Sequence, residues 1–375
     1  MEYIIMQADD KFIQFGCWNN LNTKVKDGKE TQLGCLNQVF ELLNDYLSKV
    51  EVKPKFLIIS GDNYYPEKQK VDEVTTNIVI YPDKLIEGFK TIEIDLQIYM
   101  MLGNHDLEKT PKEEDTTKQE CKILELEMEN KPANVEYNFF KYVMLKNGTM
   151  VLMIDTSIYE DDSEQYLQCY NKFFETSGER IFSSIEEIRE YQLRQITEAI
   201  EGKELRNIIM VGHHPIIYFK YKKAKKGKEE NIHFRSDICK LFQPVLAHIY
   251  RLAPAPNYYY LCSDLHLYQK GKIELQIGAD ATMRIQQYIV GTGGTELDSK
   301  LPPVFEKVKT EDGITYEFED ENDQCGFLEC VVKEEGLEFT PIFVEIKGGN
   351  KKTKNKKLTR SKKTKKRSKR SKRTK

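Results

Sequence analysis

The sequence FLIISGDNYYP, residues 56–66, indicates the fold class of this chain. Its first five residues form a short apolar run, which is typical of a β-strand buried on both faces of a parallel sheet. The run leads directly into a turn that carries Asp62. In parallel α/β sheets, ligand sites form at the carboxyl ends of the strands. The stretch therefore predicts an α/β domain with a carboxylate at its ligand-binding edge.

The same pattern returns three times, in QIYMMLGNHD (97–106), NIIMVGHHP (207–215) and YYYLCSDLH (258–266). The polar residues at the four turns are Asp62, Asn104, His105, His213, His214, Asp264 and His266. One such turn alone is more typical of an ordinary loop. Four at one sheet edge bring together carboxylate, amide and imidazole groups, which suit Zn, Mn or Fe. Two such ions sharing a carboxylate form a hydrolytic phosphatase or nuclease site.

Helical and strand patterns alternate around these blocks, as expected of an α/β fold. Apolar spacing predicts helices over 33–47 and 236–251, and a capping box of Ser184 and Glu187 predicts one over 184–203. A first strand is predicted over 11–17. Hairpins are predicted at the Asn147-Gly148 turn and over the last part of the domain, 326–346. The charged segment 107–136 is predicted to be a surface insertion.

Length, composition and cysteine spacing predict the number of domains and the cellular location. A chain of 375 residues with 39% hydrophobic residues can form one large domain, or at most two. Transmembrane helices are excluded, because no apolar run approaches the ~18 residues needed to span a bilayer. The start of the chain does not resemble a secretory signal, and the eight cysteines form no CxxC pair. We therefore expect a reduced intracellular protein, cytoplasmic or nuclear to nucleolar, that is not secreted.

The last 29 residues, 347–375, form a separate Lys/Arg-rich tail. They contain 17 basic residues and no Asp or Glu, which leaves 40 basic against 60 acidic residues in the rest of the chain. So few apolar residues cannot form a core, and the tail is predicted to be disordered. Nucleic acid or another polyanion is a suitable partner, and a tail that only aids solubility is the alternative.

The blocks GDNYY, GNHD, GHHP and LCSDLHLYQ resemble those of the calcineurin-like metallophosphoesterases, specifically the purple (tartrate-resistant) acid phosphatase branch. IDT at 154–156 and VGTGGTELD at 290–298 are similar to later strands of that branch. The resemblance covers residues 11–346, so 1–346 would be the metallophosphoesterase domain. It implies an α/β sandwich of two packed mixed β-sheets flanked by helices. It also implies hydrolysis of phosphomonoesters at a dinuclear metal centre, by in-line attack of a metal-bound hydroxide.

The resemblance also assigns roles residue by residue. Asp62 would bridge the two metals, Tyr65 and His266 would bind the first, and Asn104 and His213 the second. His105 would orient the phosphate or protonate the leaving group. The cofactor would be two metal ions, Fe together with Zn, Mn or Fe. The substrate would be a phosphorylated small molecule or a phosphoprotein.

Two positions depart from the family pattern. GCWNN stands where relatives have GDWGG, so Cys17 takes the place of an Asp ligand, and SDLH places Asp264 where relatives have a His. A thiolate and a carboxylate can both bind Zn or Fe, so each is a candidate substitute ligand. The alternative for Cys17 is a small buried residue beside a weakened site. Asn19 and His214 are further candidate ligands.

A lysine-rich run follows the GHHP block and includes Lys222, Lys223, Lys225 and Lys226. These side chains are candidates for drawing an anionic substrate to the site, and a solvated charged loop is the alternative. Two other functions stay open beside the phosphatase. One is a catalytically impaired phosphatase fold that serves as a binding or scaffold protein. The other is a phosphodiesterase or nuclease held on nucleic acid by the tail.

Overall fold

The computed structural model describes residues 9–26, 29–70, 76–107, 121–222, 231–254, 256–278, 281–303, 305–311 and 313–345. Its strands are β1 (Asp10–Phe15), β2 (Thr23–Lys26), β3 (Lys29–Gln32), β4 (Phe56–Ser60), β5 (Glu67–Lys70), β6 (Thr76–Val79), β7 (Gln97–Met101), β8 (Val135–Tyr137), β9 (Phe140–Leu145), β10 (Thr149–Ile154), β11 (Asn207–Val211), β12 (Tyr218–Lys222), β13 (Asn231–Arg235), β14 (Asn257–Cys262), β15 (Tyr268–Gln276), β16 (Thr282–Val290), β17 (Val308–Glu311), β18 (Ile314–Asn322), β19 (Gly326–Lys333) and β20 (Gly336–Phe343). Its helices are α1 (Leu36–Lys49), α2 (Pro82–Phe89), α3 (Lys122–Asn130), α4 (Leu167–Thr176), α5 (Ile185–Ile200) and α6 (Cys239–Leu252), with short 3₁₀ helices at Ser157–Tyr159 and Ser163–Tyr166.

Two large mixed sheets organise the unit Met1–Val344. The first has the order β20-β19-β1-β4-β7-β8, in which β1, β4, β7 and β8 are parallel and β19 runs antiparallel to both of its neighbours, β1 and β20. The second has the order β17-β18-β15-β16-β14-β11-β10-β9, with β10, β11, β14 and β16 parallel. Gln14 of the first sheet donates to the carbonyl of Cys262 in the second, at 3.4 Å. The predicted fold of two packed mixed sheets flanked by helices is confirmed.

The parallel strands that lead to the polar turns lie deep in the core. All five residues of β4 and of β11 are buried, as their uninterrupted apolar runs indicate. The predicted hairpin turn is present, with positive φ at Asn147 and Gly148, as a type I′ turn requires. The hydroxyl of Ser184 caps α5 by accepting from the backbone N–H of Glu187 at 3.2 Å.

The segment expected to be a surface insertion is in part an integral piece of the domain. Residues 108–120 lie outside the described residues, but α3 buries Ile123 and Leu124, and β8 extends the first sheet beside β7. The high density of acidic residues in this segment concealed the short apolar face of α3. The prediction of an insertion is therefore wrong for residues 121–136.

Four of the eight cysteines form disulfides, Cys35–Cys325 and Cys121–Cys169, which corrects the expectation of a fully reduced chain. Their sequence separations of 290 and 48 residues concealed both pairs, because only the sheet order brings the cysteines together. β19 pairs with β1 although the two strands lie near opposite ends of the domain in sequence, and Cys325, just before β19, is joined to Cys35, just before α1. No helix in the described part of the chain is long and apolar enough to cross a membrane.

Candidate metal centre

The ends of parallel strands from both sheets meet at one rim, and backbone hydrogen bonds join the turns that follow them. The N–H of Cys17, after β1, donates to the carbonyl of Gly61, after β4, at 3.0 Å. The N–H of Ser263, after β14, donates to the carbonyl of His213, after β11, at 2.9 Å. The predicted strand ends therefore lie close together, and main-chain hydrogen bonds hold the turns of this rim.

Three residues of this rim have left-handed backbone conformations: φ is 55° at Cys17, 55° at Asp62 and 53° at Asp264. Non-glycine residues seldom adopt such angles, and those that do cluster at ligand sites. Gly103 permits a close approach of two turns, since a Cβ atom there would lie 2.3 Å from the backbone nitrogen of Asp62. The turns are thus packed too tightly for larger residues at this point.

Asp62 lies at the centre of the rim, and its two carboxylate oxygens face different groups. Oδ2 accepts a hydrogen bond from the hydroxyl of Tyr65 at 2.9 Å and lies 3.8 Å from the thiol sulfur of Cys17. Oδ1 accepts from the backbone N–H of His105 at 3.1 Å and lies 3.2 Å from Nε2 of His213. Because its two oxygens face different groups of side chains, this carboxylate has the geometry needed to bridge two cations.

Two histidines turn Nε2 toward the centre because Nδ1 is engaged elsewhere, His213 toward Asp62 and His266 toward Tyr65. Nδ1 of His213 lies 2.8 Å from the carbonyl of Ser60, and Nδ1 of His266 lies 3.1 Å from the carbonyl of Glu296. Donation from Nδ1–H to a carbonyl leaves Nε2 free for a metal, an arrangement common among metal-binding histidines. Nε2 of His266 lies 3.3 Å from the Tyr65 hydroxyl. Despite its 3.2 Å distance from Asp62, Nε2 of His213 lacks the geometry of a hydrogen bond.

Two sets of donor atoms each lie within 4.8 Å of one another: Cys17, Asp62 and His213, and then His213, His214 and Asp264. Asn104 contributes a buried Oδ1 that has no hydrogen-bond partner. These orphaned and closely spaced donors fit a metal site. Asn19 packs against α2, where its amide nitrogen donates to the carbonyl of Leu85 at 3.5 Å, and its buried Oδ1 also has no hydrogen-bond partner.

Burial and charge shift the pKa values of these groups strongly. Burial alone would raise the pKa of Asp62, but His213, His105 and His266 hold it well below its usual range. Burial opposes protonation of His213, yet Asp62 and Asp264 raise its pKa to about 10. Burial and the charge of Asp62 raise the pKa of the Cys17 thiol and of the Tyr65 phenol well above their usual values. Cation binding at these groups would therefore displace protons.

Several supporting residues were not identified from the sequence. Asp106, the last residue of the GNHD block, accepts from the backbone N–H groups of Gly103 and Asn63, both at 2.7 Å. Burial, together with the charge of Asp62, raises the pKa of Asp106 to about 6. The sequence could have indicated this role, because Asp106 directly follows the predicted ligands Asn104 and His105. A buried carboxylate at that position can accept hydrogen bonds from two turns of the site.

The lysine-rich run is only partly described. Lys223, Lys225 and Lys226 lie outside the described residues, and Lys222 is exposed at the end of β12. Lys220 on the same strand, which was not predicted as a site residue, forms an ion pair with Asp298 at 3.1 Å. Asp298 also accepts from the backbone N–H of His266 at 3.1 Å, so this pair reaches the candidate metal centre.

A cavity of about 360 Å³ opens beside the metal centre. Asn104, His214 and Asp264 line it together with acidic residues from the segment after β10 and with basic residues from the β12–β13 hairpin. His214 is buried there, with Nδ1 3.2 Å from the Thr156 hydroxyl and Nε2 3.2 Å from Glu160. The cavity is large enough for the leaving group of a small ester.

A family model for calcineurin-like phosphoesterases matches residues 11–251 of the chain. The chain belongs to this family. Its members are hydrolases of phosphate esters that normally bind two metal ions. Most of the candidate ligands lie within the matched residues, whereas Asp264 and His266 lie beyond them.

Solved structures with a similar fold include three of low sequence identity. "GAP50 the anchor in the inner membrane complex of Plasmodium" is 11% identical, with a TM-score of 0.48 over 91% of this chain and 86% of that one. The "Structure of PhoD" is 10% identical, with a TM-score of 0.49 over 89% and 68%. A 5'-nucleotidase from Candida albicans is 14% identical, with a TM-score of 0.38 over 74% and 45%. No curated protein gave a significant sequence match.

Proposed function

We propose that this protein is a metal-dependent phosphomonoesterase of the purple acid phosphatase type, with a dinuclear centre built around Asp62. The observation that supports it most directly is that the two oxygens of the Asp62 carboxylate face different side chains. Oδ2 faces Tyr65 and Cys17, whereas Oδ1 faces His213. A buried carboxylate whose two oxygens face different donor atoms is the arrangement that would let Asp62 bridge the two metals of a hydrolase.

The first metal would be held by Cys17, Tyr65 and His266 together with Asp62, and a phenolate among the ligands suits iron. The second would be held by Asn104, His213 and Asp264 together with Asp62, a set that suits Zn, Mn or Fe. The buried Asn104 Oδ1 and His213 Nε2 both lack hydrogen bonds and fit this role. When bound, the two ions would polarise the phosphate and neutralise the charge that develops on it.

The protein's own side chains would position the ester. His105 is half-buried, its ring lies 4.8 Å from that of Tyr65, and its backbone N–H is bound to Asp62. This anchoring holds the imidazole beside the proposed metals, where it can bind a phosphate oxygen or donate a proton to the leaving group.

The two departures from the family pattern remain within reach of the centre. Cys17 Sγ lies 3.8 Å from Asp62 Oδ2, and Asp264 Oδ1 lies 4.0 Å from His213 Nε2. Cys17 therefore offers a sulfur atom beside the first proposed metal, and Asp264 offers an oxygen atom beside the second. These positions support their role as metal ligands.

The test is hydrolysis of p-nitrophenyl phosphate by chelator-stripped protein reloaded with Fe and with Zn or Mn. We expect turnover only after reloading, two bound ions per chain by elemental analysis, and a loss of about a hundredfold or more in Asp62→Asn. Asp45→Asn, at an exposed aspartate paired with Lys49 on α1, is the matched control and should behave as wild type.

Folded, metal-loaded protein without turnover would overturn the proposal and favour a binding or scaffold role. The diesterase alternative has its own readout in the same assay, since hydrolysis of bis(p-nitrophenyl) phosphate faster than of the monoester would favour it. Loss of that activity on deleting residues 347–375 would then indicate delivery to a polyanion by the tail.

A further inference from the structure

The loop after β16, residues 291–298 and called here the rim loop, connects the disulfide Cys35–Cys325 to the proposed metal centre. We propose that this disulfide is a site of reversible thiol–disulfide exchange, and that its reduction weakens retention of the first metal. The inference rests on the proposed dinuclear centre and adds a form of regulation to it. In the exchange, a dithiol reductant supplies two electrons and two protons. The S–S bond breaks, Cys35 and Cys325 become thiols, and the dithiol becomes a disulfide.

The rim loop holds two proposed ligands of the first metal. The N–H of Thr295 donates to the carbonyl of Cys17 at 3.1 Å. The carbonyl of Glu296 lies 3.1 Å from Nδ1 of His266, and the carboxylate of Asp298 accepts from the N–H of His266 at 3.1 Å. The loop thus fixes the backbone at one ligand and the ring at the other. Loss of such supporting contacts typically weakens metal binding by about 10- to 100-fold.

The same loop is bonded to the chain at both ends of the disulfide. The N–H of Cys35 donates to the carbonyl of Gly294 at 2.8 Å. Gly326, which directly follows Cys325, donates its N–H to the carbonyl of Thr292 at 3.0 Å and accepts from the hydroxyl of Thr292 at 2.9 Å. The S–S bond therefore joins two segments that both hold the rim loop in place.

The S–S bond also fixes the start of α1 against the rim loop. Cys35 is the N-cap residue of α1, but its side chain makes no capping hydrogen bond, because its sulfur is bonded to Cys325. A Cβ atom at Gly34 would lie 1.9 Å from the carbonyl oxygen of Gly294, so this segment packs directly on the loop. The φ angle of Gly294 is 149°, and glycine has many alternative backbone conformations. Reduction therefore allows the segment and the loop to separate.

A second, independent observation is that the two disulfides differ in their access to a reductant. Cys35 is half-buried and Cys325 is 9% exposed, whereas Cys121 and Cys169 are 3% and 2% exposed. Exchange requires a thiolate to reach a sulfur atom, and exposed disulfides are typically the ones that are reduced and formed again. A reductant should therefore open Cys35–Cys325 first, and the buried pair serves as an internal comparison.

The experiment uses zinc-loaded protein, because Zn²⁺ has no redox chemistry of its own. Three samples are dialysed against a chelator without oxygen: oxidised protein, protein reduced briefly with a phosphine that is then removed, and the reduced protein reoxidised. Elemental analysis follows the zinc that remains. We expect one of the two zinc ions to leave the reduced protein about tenfold faster, and reoxidation to restore the slow rate. Circular dichroism should show that all three samples are folded.

Thiol mapping and two variants identify the responsible bond. Alkylation of the denatured samples and peptide mass spectrometry should find Cys35 and Cys325 as thiols while Cys121–Cys169 is still intact. Cys239→Ser replaces a half-buried cysteine outside both disulfides and should respond to the reductant as wild type does. Cys35→Ser/Cys325→Ser should lose zinc at the fast rate with and without reductant. If that variant does not fold, the three wild-type samples decide.

Failure of this inference is distinct from failure of the proposed function. Equal zinc loss from folded oxidised and reduced protein overturns the inference alone, as does opening of Cys121–Cys169 before Cys35–Cys325. Protein that binds two ions and releases one on reduction, but hydrolyses no ester, overturns the proposed function and supports the inference. Oxidised protein that binds neither Zn nor Fe overturns both.

Discussion

The disulfide Cys35–Cys325 joins residues 290 positions apart, and so encloses almost the whole domain in one covalent loop. A cross-link stabilises a fold chiefly by removing conformations from the unfolded chain, and its effect grows with the logarithm of the loop length. For 290 residues this relation gives about 5.7 kcal/mol at 25 °C, and for the 48-residue loop of Cys121–Cys169 it gives about 4 kcal/mol. Replacing both Cys35 and Cys325 by serine should therefore lower the free energy of unfolding by about 5 kcal/mol.

Urea unfolding followed by tryptophan fluorescence is a suitable assay, because the chain has one tryptophan and Trp18 is fully buried. Wild type, the double variant Cys35→Ser/Cys325→Ser and the control Cys239→Ser, at a cysteine outside the disulfides, are unfolded with and without a reductant. The loss should appear in the double variant without reductant. Reductant also opens Cys121–Cys169, so it should destabilise both proteins, wild type by more, and bring them to nearly the same free energy of unfolding.

Two results would contradict this prediction. Equal unfolding of wild type and the double variant without reductant would show that the cross-link does not contribute. A difference that persists in reductant would assign the loss to packing around the serine side chains. Because the effect depends on loop length, removal of Cys121–Cys169 should lower the free energy of unfolding by about 1.6 kcal/mol less than removal of Cys35–Cys325.

Two other predictions concern the site and its surroundings. Burial raises the pKa of Asp155 from 3.8 to about 7, so the folded state of the metal-free protein holds a proton there that the unfolded state releases, and stability falls by about 4 kcal/mol between pH 4 and 7. Asp155→Asn should remove that part of the pH dependence, measured by urea unfolding at pH 5 and pH 8; the same slope in both proteins would contradict it. Gly103→Ala would place a Cβ atom 2.3 Å from the Asp62 backbone nitrogen, so about tenfold weaker metal retention after dialysis is expected. Gly278→Ala, with no atom within 4 Å of the new Cβ, is the control, and equal metal retention in the two variants would argue against the tight packing of the turns.

The elements that the sequence predicted best are those whose environment is uniform. β4 and β11 are buried along their whole length, so an apolar run was sufficient to define both ends. β15 and β18 were not identified, because exposed charged residues alternate with buried ones along both strands. Their partners are also distant in sequence, and only the sheet order shows that the end of the domain packs beside its beginning.

Some residues of the candidate site were likewise predicted from the sequence, and others were not. Local blocks identified Asp62, His213 and His266, since each follows a strand and carries a side chain suited to metals. The contacts of Asn19 with α2 and of Lys220 with Asp298 depend on tertiary packing that no spacing encodes. The roles of the ligands and the identity of the ions stay predictions that the assays above address.

Backbone hydrogen bonds join Cys17 to Gly61 and Ser263 to His213, and these bonds use no side-chain atom that would bind a metal. A cradle of this kind can release one metal and accept another while the domain stays folded, unlike small domains that fold only around their zinc. Affinity among divalent ions follows a common order, and selection in cells depends largely on which ions are available. The ionic content of a purified sample would then record the medium in which the protein was made, and its activity should be restorable by exchange.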